Sequence, residues 1–188
     1  MFGKKKSGYG GLIALAGGVV GGGVAIMSAL PVLKRRALRA TTLLKKDHRV
    51  VSGLIAALEM TPKSGSTARK KLFEQIRNSV MVHAQAEEEI LYPAVRNLFV
   101  GDASIVDESY REHQTVKDLL NDLLTMDPST EAFDTKFAQF KNNLEHHVDE
   151  EENDMFVTIM QRMSFEQQEA LGRRIHDRKM HLKRKRAA

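Results

Sequence analysis

A pattern of histidines and carboxylates that occurs twice constrains the fold of this 188-residue chain more than any other feature. The four segments are Asp47-His48, His83–Glu87, Glu112-His113 and His147–Glu151, and the second pair follows the first by 64 to 65 residues. Within each pair the two leading histidines are 35 or 34 residues apart, about the length of one helix and one loop. Four helices of one bundle can therefore bring all four histidines to the same level.

Apolar residues recur at helical spacing along most of the chain, as Phe133, Phe137 and Phe140 illustrate. The predicted helices span residues 35–59, 67–99, 103–126 and 129–162, and a fifth begins near Ser164, where Ser164 and Gln167 fit a capping box. Short loops between long helices make consecutive helices antiparallel neighbours. The sequence thus predicts an antiparallel up-down four-helix bundle.

The N-terminal region contains a long apolar segment. Residues 7–33 carry no charged side chain, and residues 11–33 predict a transmembrane helix. Gly17 and Gly21 form a small-xxx-small pair that predicts a homo-oligomer. The heavier basic flank follows the segment, so we expect a single-pass membrane protein with its bundle facing the cytoplasm. The alternative is a cleaved signal peptide, which would give a periplasmic or secreted protein.

Charge is distributed unevenly along the chain, whose formal net charge is +5. Residues 1–46 carry +9, residues 47–172 carry −11 and residues 173–188 carry +7, so an acidic body lies between two basic ends. Basic ends of this kind make the lipid bilayer an expected partner. Nucleic acid is not expected, because the basic charge lies outside the body and aromatic residues make up only 6% of the chain. The chain has no cysteine, which excludes disulfides, thiolate metal sites and iron–sulfur clusters.

These observations divide the chain into four parts. They are a basic flank (1–10), a transmembrane helix (11–33), the four-helix bundle (34–165) and a basic C-terminal helix or tail (166–188). The predicted fold class is therefore all-α, an antiparallel up-down four-helix bundle with an N-terminal transmembrane helix and a short C-terminal basic helix.

The repeated segments predict a metal site. Residues four positions apart share one helix face, so each His-x-x-x-Glu segment can direct both side chains to the same place. With one histidine from each preceding helix, the bundle can hold two metal ions, with two imidazoles for each ion and two carboxylates between them. Nitrogen and oxygen ligands without sulfur suit iron or manganese and also fit zinc. The predicted ligands are His48, His83, Glu87, His113, His147 and Glu151.

The segments 83–93 and 145–156 resemble the two signature segments of the hemerythrin-like (HHE cation-binding) domain family. The resemblance covers residues 40–165 and implies a bundle around two iron ions per chain, joined by an oxo or hydroxo bridge and held by the same six residues. Manganese and zinc are the alternative metals. Members of this family bind dioxygen or nitric oxide, sense oxygen or iron, or respond to oxidative stress.

The chain departs from the oxygen-carrying hemerythrins at Lys117, where those proteins have a second histidine four residues after the one that matches His113. One metal then lacks a histidine unless His146 or a further carboxylate substitutes, and the additional open position favours peroxide chemistry. Tyr92 is expected in the core or near the site. The remaining acidic residues near the ligands are expected on a solvated face, with one of them orienting an imidazole as the alternative; they are Glu88, Glu89, Glu150 and Glu152.

The leading hypothesis is a membrane-anchored hemerythrin-like di-iron protein that binds or senses dioxygen or nitric oxide. One alternative is a di-iron oxidative-stress enzyme that acts on peroxide or nitric oxide. The other is an iron-handling or metal-stabilised structural protein. The sequence leaves open whether the protein is an enzyme.

Overall fold

The computed structural model describes residues 38–99 and 104–187 of the chain, and every regular element in this part is helical. The elements are α1 (Ala40–Met60), α2 (Ser66–Ala86), a π-helical turn π1 (Glu87–Leu91), α3 (Tyr92–Val95), a 3₁₀ turn (Arg96–Leu98), α4 (Ser104–Leu124), α5 (Glu131–Glu150), a second π-helical turn π2 (Glu151–Met155), α6 (Phe156–Arg162) and α7 (Phe165–Ala187). Because α2 continues through π1 into α3, and α5 through π2 into α6, the described part forms five long helices.

The helix ends follow the local capping chemistry. Ser164 and Gln167 form the predicted capping box: the Gln167 side chain accepts from the Ser164 N–H at 2.7 Å, and the Ser164 hydroxyl accepts from the Gln167 N–H at 3.3 Å. The fourth long helix begins at Glu131 rather than at residue 129. Thr130 is its N-cap and accepts from the Phe133 N–H at 3.2 Å.

The predicted fold class and localisation require a correction. None of the helices in the described part is long and apolar enough to cross a membrane. This finding contradicts the fold class in so far as it included a transmembrane helix, and it contradicts the localisation as a single-pass membrane protein. The five long helices are amphipathic, since each has charged residues along the face opposite to its apolar stripe. Residues 11–33, with Gly17 and Gly21, lie outside the described residues.

Most of the buried apolar side chains form two clusters. One contains Val51, Ile55, Leu58, Phe73, Ile76, Val80, Val116, Leu120, Leu123, Phe133, Phe137, Phe140 and Leu144. The other contains Ala40, Leu44, Ala86, Leu91, Tyr92, Val95, Val106, Met155, Phe156, Ile159, Leu171 and Ile175. Along α1, His48 lies between Leu44 of the second cluster and Val51 of the first. The repeated polar residues therefore form a layer between two apolar clusters, away from bulk water.

The C-terminal helix α7 is part of the folded body. It packs against α1, α2 and π1, and it buries Leu171 and Ile175 in the second cluster. Gly172 faces the start of α1 so closely that an added Cβ would lie 1.8 Å from the Leu38 carbonyl oxygen and 2.8 Å from the Ala40 nitrogen. Only glycine fits this contact between two backbones.

We expect Gly172→Ala to lower the free energy of unfolding by about 1–3 kcal/mol, because the new methyl group forces α7 away from α1. Gly53→Ala is the matched control, since nothing lies within 4 Å of a Cβ added at that helical glycine. The control should raise the free energy of unfolding by up to about 1 kcal/mol through helix propensity. Urea unfolding followed by circular dichroism measures both changes. Equal stability of the two variants would show that α7 does not dock closely.

Candidate metal centre

The structure brings the six predicted ligand residues together in the polar layer. All six are buried, with 0% to 6% of their surface exposed. Their ligand atoms form two groups within 4.8 Å: one contains His48, His83, Glu87 and Glu151, and the other contains Glu87, His113 and His147. Glu87 belongs to both groups, so its carboxylate lies between the two histidine pairs.

The two histidines of each pair face one another through their Nε2 atoms. The Nε2 atoms of His48 and His83 are 3.1 Å apart, and those of His113 and His147 are 3.0 Å apart. Two imidazole nitrogens bound side by side to one metal ion at about 2.1 Å are separated by about 3 Å. The spacing of each pair therefore fits a shared metal ion.

The two inner carboxylates need positive charge. Glu87 and Glu151 are 0% and 2% exposed, and none of their four carboxylate oxygens has a hydrogen-bond partner of ordinary geometry. The nearest groups are imidazole nitrogens: His83 Nε2 is 3.1 Å from Glu87 Oε2, and His48 Nε2 is 3.3 Å from Glu151 Oε2. A buried carboxylate without a hydrogen bond is costly unless a cation balances it. This donor set fits a bound metal pair.

Each of the four histidines uses its other nitrogen, Nδ1, to donate to a carboxylate outside the inner group. The pairs are His48 with Glu152 at 2.8 Å, His83 with Asp47 at 3.4 Å, His113 with Glu88 at 3.0 Å and His147 with Glu112 at 2.9 Å. We call Asp47, Glu88, Glu112 and Glu152 the outer carboxylates. They fix each ring so that the Nε2 lone pair points inward, as metal-binding histidines require.

The outer carboxylates follow the internal repeat. In each half of the repeat, the acid directly before the first histidine accepts a hydrogen bond from the second histidine of the same half, as Asp47 does from His83. The acid directly after the inner glutamate accepts a hydrogen bond from the first histidine of the other half, as Glu88 does from His113. The expectation that Glu88 and Glu152 belong to a solvated face was therefore wrong, and the alternative, in which such an acid orients an imidazole, holds for both. The signal that identifies them is their fixed place in the repeat.

Lysines neutralise three of the four outer carboxylates. Lys117, which occupies the position of the missing histidine, directs its Nζ to the two Glu88 oxygens at 2.5 and 2.7 Å. Lys45 pairs with Glu152 at 3.0 Å, and Lys179 of α7 pairs with Asp47. Lys117 thus acts on His113 through Glu88 and adds no donor to the inner group.

The pKa values of the inner residues reflect the same charges. Burial alone would lower the pKa of His83, but Glu87, Asp47 and Glu151 outweigh it and raise the pKa to about 10. Burial alone would raise the pKa of Glu151, but the surrounding histidines lower it to about 2. Without a metal ion, an imidazolium proton therefore supplies the positive charge that the buried carboxylates require.

Tyr92 and Phe156 occupy corresponding places after the two π-helical turns, and they make the centre asymmetric. The Tyr92 hydroxyl lies 3.2 Å from His113 Nε2, and its ring is fully buried. Burial raises the pKa of this phenol well above its usual value. Phe156 stacks on His48 instead, with ring centroids 5.9 Å apart. A phenol oxygen thus borders one histidine pair and a hydrocarbon ring borders the other.

A cavity of about 300 Å³ opens beside the other histidine pair, His48 and His83. Apolar side chains from three helices line it, among them Val51, Val80 and Val148. Acidic side chains also line it, including Asp149 and Glu152. The cavity joins the outside of the bundle to one half of the candidate centre.

The sequence profile described as the Hemerythrin HHE cation binding domain matches residues 39–159. A DNA nickase of Nostoc sp. strain PCC 7120 is 32% identical to this chain over 126 residues. The match covers 67% of this chain but 35% of the nickase, so the chain spans about a third of that relative. An uncharacterized protein of Mycobacterium tuberculosis is 28% identical over 118 residues, 63% of this chain and 70% of that one. The crystal structure of an HHE cation-binding domain-containing protein from Mycobacterium kansasii has a TM-score of 0.68 and 28% identity, covering 77% of this chain and 86% of that chain.

Proposed function

Because the chain belongs to the hemerythrin HHE cation-binding family, we propose that it holds two iron ions and binds dioxygen or nitric oxide reversibly. His48 and His83 would hold one ion, and His113 and His147 the other. Glu87, whose carboxylate belongs to both ligand groups, and Glu151 would complete the donor set. Iron bound in this way supplies an exchangeable coordination position and an electron for a small ligand.

The choice of iron rests on the donor set. Four imidazole nitrogens and two carboxylate oxygens, without sulfur, suit iron or manganese and also accept zinc. The outer carboxylates, which are partly buried, accept from the imidazoles and make them better donors, which stabilises a metal in its higher oxidation state. That property favours iron, whose oxidation state changes when it binds dioxygen, and places zinc, which has no redox chemistry, last.

The observation that carries the proposed function is the cavity beside His48 and His83. Its volume of about 300 Å³ and its apolar walls admit a small uncharged molecule to this histidine pair. Four acidic side chains and one arginine line it, and two of the acids, Asp47 and Glu152, are neutralised by Lys179 and Lys45. The four acids are Asp47, Glu145, Asp149 and Glu152. Dioxygen and nitric oxide are small and neutral, and both match this entrance.

A peroxide-removing enzyme is the second candidate, and the position of Lys117 favours it. The Lys117 ammonium group binds Glu88 and does not face the inner group, so the His113 pair has no third imidazole. Tyr92 instead places a phenol beside His113. A metal ion with fewer imidazoles has an additional exchangeable position, which peroxide can use because hydrogen peroxide is also small and neutral.

Metal content and an anaerobic absorption titration of the purified chain test the proposal. We expect two iron ions per chain and an absorption change on adding dioxygen that reverses when the gas is removed. Catalytic loss of peroxide, with irreversible oxidation by dioxygen, would replace the proposal by the second candidate. A chain without stoichiometric iron would contradict both.

A cavity variant adds a control to this titration. Val148 lines the cavity and is partly buried, so Val148→Trp should fill the entrance and slow the binding of nitric oxide on the order of tenfold, while the iron content remains unchanged. Leu124→Trp is the matched control, because Leu124 is 51% exposed and does not line the cavity. Equal binding rates in both variants would show that the ligand enters by another route.

A further inference from the structure

A third His-x-x-x-Glu pair lies beside the centre, one residue before the second inner pair. His146 and Glu150 share the outward face of α5, and His146 Nε2 is 3.3 Å from Glu150 Oε1. The same nitrogen is 3.6 Å from Oε1 of Glu112 on α4. Ligand atoms of these three residues lie within 4.8 Å of one another. The side chains of His146 and Glu150 are 65% and 40% exposed, so solvent reaches the group.

Glu112 differs from the other outer carboxylates in its charge partner. Asp47, Glu88 and Glu152 each pair with a lysine, whereas no lysine or arginine of the described residues pairs with Glu112. Its Oε2 accepts from His147 Nδ1 at 2.9 Å, and its Oε1 faces His146. Glu150 brings a second carboxylate to the same place. Two carboxylates and an imidazole that converge in this way favour a cation between them.

The other half of the repeat shows what normally fills this position. The residues that correspond to His146 and Glu150 are Val82 and Ala86, which are buried on a face of α2 where α7 packs. From α7, Lys179 supplies the positive charge for Asp47, the counterpart of Glu112. No described helix covers the equivalent face of α5 in the same way. The second half thus has polar ligands where the first half has a helix and its lysine.

We propose that His146, Glu150 and Glu112 bind a divalent transition-metal ion on the outside of the bundle, separate from the inner pair. One imidazole nitrogen and two carboxylate oxygens suit Zn²⁺, Fe²⁺ or Mn²⁺ better than Mg²⁺ or Ca²⁺, which prefer oxygen ligands alone. The outer ion balances the negative charge of Glu112, as Lys179 balances that of Asp47. Since Glu112 also holds His147, the outer ion is coupled to the inner centre through a single carboxylate.

Zinc titration of the iron-loaded chain by calorimetry tests the outer site. We expect one further equivalent of Zn²⁺ per chain. His146→Ala and Glu150→Gln should weaken this binding on the order of tenfold or more, and both should retain the iron content of the unmodified chain. His176→Ala is the matched control, because His176 is also exposed, lies beside Asp177 and is remote from the group.

The outcomes separate this proposal from the proposed function. Equal zinc affinity and stoichiometry in the unmodified chain, His146→Ala and Glu150→Gln would overturn the outer site, whatever the iron content. If the chain takes up no iron, the titration is repeated on the metal-free chain, where His146→Ala should bind one equivalent of zinc fewer. That result would support the outer site while contradicting a di-iron function.

Discussion

Replacing Glu151 or His83 by alanine should abolish stoichiometric metal binding by the inner centre. Glu151 is 2% exposed, and its carboxylate lies 3.3 Å from His48 Nε2. The His83 imidazole lies 3.1 Å from both His48 Nε2 and Glu87 Oε2. Either substitution removes a donor from the centre of the group, where no neighbouring side chain can replace it. Since loss of an outer partner alone costs about 10–100-fold in affinity, loss of an inner donor should cost at least about 100-fold.

Metal content per chain after dialysis measures this loss directly. Glu145→Ala is the matched control for Glu151→Ala, because Glu145 lies on the same long helix and 60% of its side chain is exposed. The control should keep two metal ions per chain. Glu152→Ala should fall between the two, because it frees His48 Nδ1 and leaves all six inner residues in place. Unchanged metal content in both Glu151→Ala and His83→Ala would contradict the ligand assignment.

The sequence allowed the bundle and the inner group to be predicted for related reasons. Helical periodicity identifies long amphipathic helices because each must bury one apolar face, and the repeat then places the six polar residues at one level. What periodicity does not contain is the identity of the partners across helices. The Nδ1 partners of the histidines come from other helices, so periodicity alone does not assign Glu88 and Glu152 to particular histidines.

Two other features lay outside the reach of helical periodicity. The π-helical turns begin at Glu87 and Glu151. Pro93 follows the first turn, but the same place after the second turn is Val157, so proline is not what causes a π-helical turn here. A π-helical turn adds one residue to a helix, and such turns often occur at functional sites. The docking of α7 was missed because its sequence is basic and polar. Gly172 and Lys179 belong to a narrow buried stripe of α7, which the composition of the helix does not reveal.

The centre also predicts a large stability difference between the metal-loaded and the metal-free chain. The buried oxygens of Glu87 and Glu151 lack hydrogen-bond partners, so their charge must be balanced by a metal ion or by protonated histidine. A metal ion present at about 1,000 times its dissociation constant stabilises the folded chain by about 4 kcal/mol. For a chain of this size, that corresponds to a melting temperature roughly 10 °C higher. Scanning calorimetry before and after treatment with a chelator, and again after iron is restored, measures the difference.

The double variant Glu87→Gln/Glu151→Gln separates metal binding from other effects of the chelator. Its neutral amides remove the buried negative charge, so the variant should bind no stoichiometric metal and its melting temperature should not respond to the chelator. Because the amides need no counter-charge, its melting temperature should equal or exceed that of the metal-free unmodified chain. A melting temperature of the unmodified chain that stays constant through chelation and reloading would show that the inner carboxylates do not depend on a metal ion for their charge balance.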